Sequence, residues 1–146
     1  MPLIHISVPS DIYSDEEKDT LLSQIGSAVA DAEGVPDNPI ARAALWVFLE
    51  EVPGSRWWIG GKPSEPARDV AQVVTRVSVP QGSLNAKRKD QLVAGVADAV
   101  KSVVPDDLLG GLGSWCLITE IADGNWGIGD RIWTFQDITG AVGGSS

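Results

Sequence analysis

Cysteine is nearly missing from this chain: Cys116 is the only one among 146 residues. A disulfide within the chain is therefore impossible, and with a single histidine, His5, no ligand set for zinc can be assembled. Basic residues are scarce as well. The 11 Lys and Arg stand against 20 Asp and Glu, a formal charge of −9, so the phosphate backbone of nucleic acid would be repelled and nothing basic clusters to compensate. No apolar run approaches the roughly 20 residues that a membrane-spanning helix needs, and the first residues lack the basic and apolar segments of a signal peptide. These absences predict a cytoplasmic protein with no metal, no membrane and no nucleic acid, whose partner is a small molecule.

What the chain does hold is a duplication, the first thing to seek in any sequence. Ile6-Ser7-Val8-Pro9 recurs as Val77-Ser78-Val79-Pro80, and at the same spacing Lys18-Asp19 returns as Lys89-Asp90. Trp46 to Val52 matches Trp115 to Ile121, and Arg56-Trp57-Trp58-Ile59-Gly60 matches Asn125-Trp126-Gly127-Ile128-Gly129. Chance does not keep such blocks in order. At this length the chain makes one domain with a sizeable core, not two. We read that domain as residues 1–139, built of repeats 2–62 and 72–137 around a polar, proline-containing linker over 63–71. The glycine- and serine-rich end, 140–146, is expected to be a flexible tail.

Each repeat reads strand, helix, strand and glycine-rich turn. Leu3 to Val8 and Val70 to Val79 are rich in Val and Ile, as strands are. Ser14 and Glu17 form a capping-box pattern at the start of the first helix, with Asp15 and Glu16 favouring its positive end. Leu21, Leu22, Ile25, Ala28 and Val29 fall on one face at helical spacing, and Leu92, Val93, Val96, Val100 and Val103 repeat the stripe. The second strands, from Trp46 and Trp115, are nearly continuous apolar runs, the pattern of strands covered on both sides. An α+β fold follows, with two tandem β-α-β units forming one four-stranded sheet and two helices on one face. The other face then needs a partner subunit.

The chemistry-bearing candidates are few. Pro2 follows the initiator methionine, and removal of Met1 would leave a secondary amine as the chain terminus. Peptide α-amino groups titrate near ~8, and an apolar surrounding lowers that value because it penalises the ammonium form. Such an amine is suited to general base work. Six tryptophans are present, and four of them, Trp46, Trp57, Trp115 and Trp126, occupy repeat-related positions, which suits an aromatic or apolar ligand. His5 lies where the second copy has Arg76. Arg42 precedes the second strand, and Glu51 and Glu120 lie near the ends of theirs.

Met-Pro at the start, the Ser14-Asp15-Glu16-Glu17-Lys18 helix opening and the aromatic-x-Ile-Gly element after the second strand together resemble the tautomerase superfamily typified by 4-oxalocrotonate tautomerase. The doubled unit is similar in layout to the superfamily's fused members, such as cis-3-chloroacrylic acid dehalogenase and malonate semialdehyde decarboxylase. The resemblance implies a homotrimer, no cofactor, and the amino-terminal proline as general base or acid in a pocket between units. Carried over residue by residue, Pro2 matches the catalytic proline, and its counterpart in the second repeat is Val73. Trp57 and Trp126 match the aromatic wall. Tyr13, and Leu84 in the second copy, stand where the family has one substrate-carboxylate arginine; Trp46 and Trp115 stand where it has the other.

The expectation is therefore a tautomerase-like isomerase acting on a keto–enol substrate with at most one carboxylate. Pro2 would be catalytic, and Trp46, Trp57, Trp115, Trp126, Tyr13, Arg42 and Arg76 are the candidate substrate contacts. Two readings compete: a non-catalytic trimeric binding module on the same scaffold, and a proline-dependent dehalogenase, decarboxylase or hydratase. The same order of elements also fits a ferredoxin-like dimeric barrel, in which Pro2 would have no role.

Overall fold

The computed structural model describes residues 1–64 and 68–143. In chain order the first repeat forms β1 (Leu3–Pro9), α1 (Asp15–Glu33), a short α2 (Pro39–Ala43), β2 (Trp46–Val52) and a small hairpin of β3 (Trp58–Ile59) and β4 (Lys62–Pro63). The second repeats the plan with β5 (Val73–Pro80), α3 (Ala86–Val103), β6 (Ser114–Ile121), the hairpin of β7 (Gly127–Ile128) and β8 (Arg131–Ile132), and α4 (Phe135–Val142).

The sheet order is β2-β1-β5-β6. Within each repeat the strands are parallel and adjacent, β1 with β2 and β5 with β6, while β1 and β5 meet antiparallel at the centre. A ferredoxin-like chain would insert a strand between the two members of each parallel pair. That alternative is set aside by the direct contact of β1 with β2.

Alternation along the strands decides what is buried. Ile4, Ile6 and Val8 of β1 and Val73, Val77 and Val79 of β5 are fully buried, as are Leu21, Ile25 and Val29 of α1 and Leu92 of α3, with Val96 all but buried beside them. They form one core between the sheet and the two long helices. Val93, expected on the buried stripe of α3, is instead exposed. The two helices approach closely where a Cβ on Gly95 would lie 2.9 Å from the Ala28 Cβ. The opposite face is open within the chain, and there Trp46, Phe48, Trp115 and Leu117 stay exposed. The expectation that β2 and β6 are covered on both sides therefore does not hold for the single chain.

The α1 start follows its sequence pattern. The Glu17 amide donates to Ser14 Oγ (3.1 Å) and the Ser14 amide donates to Glu17 Oε1 (2.8 Å), closing the capping box. That Ser14 N–H bond is the main reason the Glu17 carboxyl titrates below its ordinary value, with the Arg68 guanidinium adding to it. A depressed carboxylate stabilises the fold above its unfolded pKa, and the contribution is lost as pH falls through the folded one. Replacing Ser14 by alanine is expected to cost about 1 kcal/mol, read as a lower urea midpoint at unchanged slope.

The repeated lysines have a structural use. Lys18 Nζ lies 2.8 Å from Glu51 Oε1 and Lys89 Nζ lies 3.4 Å from Glu120 Oε2, so each helix is tied to the second strand of its own repeat. Two boundaries differ from the sequence reading. Lys62 and Pro63 belong to a hairpin, so the linker starts later, and residues 65–67 of it lie outside the described residues. The expected tail is helical through Val142: Thr134 caps α4 by accepting from the Asp137 amide, and Ile138 and Val142 are buried. Residues 144–146 of the tail lie outside the described residues.

Candidate active site

Proline has no N–H to give a sheet, so the ladder between β1 and β2 opens with the Pro2 carbonyl, which accepts from the Trp46 amide at 3.3 Å. Val73, the counterpart of Pro2, does have an N–H, and it donates to Gly113 O at 2.9 Å. Ala71 and Gln72 are buried just before it, and a Cβ on Gly113 would lie 1.7 Å from Ala71 O. In the second repeat the backbone therefore continues, buried and closely packed, ahead of the strand position that Pro2 holds in the first.

Beside Pro2 is a cavity of about 660 Å³. Its walls include Ile40 and Ala44 from α2 and the turn after it, Trp46 from β2, and Trp126 and Ile128 from the second repeat's hairpin. Ser78 and Asn125 supply polar side chains, and among the described residues no charged side chain lines it. The Trp46 indole N–H donates to Ala43 O at 2.9 Å, which fixes the ring plane. The backbone bond from the Trp133 amide to Trp126 O (2.8 Å) ties Trp126 in place at the base of the β7–β8 hairpin.

Of the residues singled out in the sequence, the cavity gathers Pro2, Trp46 and Trp126. Trp115 is the repeat mate of Trp46 and copies its ring bond, donating to Leu112 O at 2.8 Å, at the far side of the sheet. Trp57 is the mate of Trp126 and lies outside the lining. Tyr13 is buried, and its hydroxyl accepts from the Gln72 amide at 3.1 Å. Burial, ahead of opposing and reinforcing effects, pushes its phenol above the ordinary value, so it stays neutral. Arg42 is exposed and paired with Asp37. Arg76 faces the open side of the sheet opposite His5 and reaches Ser7 Oγ at 3.5 Å; His5 stacks on Phe48 with centroids 4.5 Å apart and lies 2.8 Å from Glu50 Oε2. None of Trp57, Trp115, Tyr13, Arg42 and Arg76 lines the cavity at Pro2. Burial raises the Cys116 thiol to about 11, which leaves it protonated and a poor nucleophile.

Glu33 is the residue that the sequence reading passed over. Its side chain is only 6% exposed, and Oε1 accepts from the ammonium of Met1, while Oε2 has no hydrogen-bond partner among the described residues. A signal was available. Glu33 closes the last turn of α1, which carries no basic residue, and an anion at a helix C-terminus opposes the macrodipole. A locally unfavourable residue points to another use.

Comparison with known proteins agrees with this geometry. Residues 2–66 match the family described as Tautomerase enzyme. No curated protein matches the sequence of the chain. Among solved structures, a fused 4-OT that forms an asymmetric trimer is 27% identical with a TM-score of 0.71, over 89% of this chain and 94% of that one. A member of the cis-3-chloroacrylic acid dehalogenase family is 13% identical with a TM-score of 0.68, over 88% and 81%. A malonate semialdehyde decarboxylase inhibited by 3-bromopropiolate is 21% identical with a TM-score of 0.63, over 87% and 88%. The last two likenesses are of fold.

Proposed function

We propose that this chain, whose residues 2–66 match the Tautomerase enzyme family and whose two-repeat fold is that of a fused 4-OT, is an isomerase whose Pro2, as the chain terminus, moves a proton between carbon and oxygen of a keto–enol substrate. The observation that carries the reading is the position of Pro2 at a cavity walled by two tryptophans and free, among the described residues, of charged side chains. A secondary amine in such a place holds its proton less tightly than in water, because desolvation weakens the ammonium form. It can take a proton from the enol oxygen or the α-carbon and return it at the other atom. Pro2 thus acts in turn as base and acid, with Trp46 and Trp126 holding the apolar part of the substrate.

The same lining favours a substrate with little charge. A dicarboxylate would bring a second anion into a pocket with, among the described residues, no arginine to pair it, and an unpaired buried charge costs several kcal/mol. The open sheet face and the trimeric fused 4-OT relatives support a homotrimer for this chain too. A chain that keeps Met1 has an amide at Pro2, and in that form the cavity serves binding alone.

The test is ketonisation of phenylenolpyruvate against that of an aliphatic dicarboxylate enol, using protein whose intact mass shows Met1 removed. We expect kcat/KM to favour the aromatic monoacid by on the order of 10²-fold, the consequence of one unpaired buried charge. Equal rates, or a preference for the diacid, would overturn the substrate assignment.

A further inference from the structure

Met1 is the only residue, among those described, that lines both the cavity beside Pro2 and a second one of about 220 Å³ between the end of α1 and α4. Its ammonium is held by Glu33, and its side chain packs with Ala41, Ile138 and Val142. Removal of Met1 therefore does more than free an amine. It takes away the wall between two cavities and leaves a buried carboxylate that has lost its cation.

We propose that in the chain beginning at Pro2 the place of Met1 becomes a subsite for a primary ammonium on an unbranched apolar chain, held by Glu33 and continuous with the pocket at Pro2. Pro2 cannot take over the vacated position itself. Its carbonyl stays bound to the Trp46 amide and Leu3 stays opposite Trp46 in the ladder, so the proline nitrogen remains three covalent bonds from where the Met1 amine lay. Glu33, whose side chain is 6% exposed while Met1 covers it, then loses the ammonium it was paired with, and a ligand cation restores that pairing. The apolar walls already accept a thioether chain, so they set the shape of the tail. Arg88 is the other charged side chain at the smaller cavity, and its guanidinium donates to the carbonyls of Glu33 (3.5 Å) and Ser83 (3.3 Å). Joined to the proton-transfer reading, on which this step rests, the subsite names the substrate class as a ketone or enol bearing an amine-tipped arm, opposite in charge to a dicarboxylate.

Binding can be measured without turnover. Methioninamide, which keeps the ammonium and neutral carbonyl of residue 1, is titrated by calorimetry into protein beginning at Pro2. One site per chain is expected. Glu33→Gln should weaken binding by at least about tenfold, the scale of a lost charge-assisted hydrogen bond. N-acetylmethioninamide should not bind, and neither should methioninamide bind protein in which Met1 is kept by inhibiting methionine aminopeptidase. No binding to the Pro2-starting chain, or equal binding of the acetylated ligand, overturns the proposal even if the Glu33 variant misfolds. Should the subsite behave as expected while no enol is turned over, the cation site stands and the proton-transfer reading falls.

Discussion

Replacing Pro2 by alanine should lower turnover of an aromatic enol by about 10²–10⁴-fold, the usual weight of a positioned general base, with folding unimpaired. Alanine still ends in an amine, so the loss isolates what the pyrrolidine ring contributes: a secondary nitrogen of different basicity, held in one direction by a fixed φ. The primary amine of the alanine variant is free to rotate and is better hydrated. Structure around it is secured by other groups, since the carbonyl bond from position 2 to the Trp46 amide and the β1–β2 register survive the change. Protein that retains Met1 should be equally slow, because an amide nitrogen takes no proton near neutral pH. Steady-state kinetics paired with intact mass measures both forms. Full turnover by either one would remove Pro2 from the mechanism.

A second large effect is expected on assembly. Light scattering of the unaltered chain should give about three chains per particle, and Leu117→Asp should give one. Leu117 lies mid-strand on the open sheet face, where its neighbours Trp115 and, across the sheet, Phe48 and Trp46 are also exposed. An apolar surface of that kind is covered in stable proteins. The introduced carboxylate would lie beside Arg76, its register neighbour, but the change takes an apolar side chain out of the contact and puts a group that must give up its water in its place, a loss repeated in every copy and expected to dissociate the particle at micromolar concentration. A wild type that is monomeric at that concentration would sink the shared-face idea.

The long elements were legible because several signals agreed at once. At α1 the capping box, the acidic first turn and the apolar stripe point to one start and one face, and the duplication then carries the same reading to α3. Short elements had no such support. Helix α2 occupies five residues, and the hairpins have two-residue strands, lengths at which periodicity carries no information. Residues 140–142 were misread on composition: glycine and serine suggested fraying, but the Thr134 cap and the burial of Ile138 and Val142 hold a helix together there. At the site, the repeat correctly grouped the four tryptophans into related pairs, yet it could not tell which member of each pair faces the cavity at Pro2. That depends on tertiary approach, because Trp126 reaches Pro2 from the other repeat. Glu33 was hidden for a similar reason, its partner lying 32 residues away in sequence.

A polypeptide has one beginning, and this sets the stoichiometry of any chemistry that needs a free terminal amine. Two repeats made as separate chains would each begin with an amine at the head of a first strand. Joined, they share one, and the N–H of Val73 is committed to Gly113 O in the sheet. A reagent that consumes terminal amines should therefore saturate at one equivalent per chain, although the fold contains two equivalent places. The two repeats differ accordingly: the strand head of the second is knitted into the ladder, while its hairpin region lends Trp126 and Ile128 to the place where the first repeat begins.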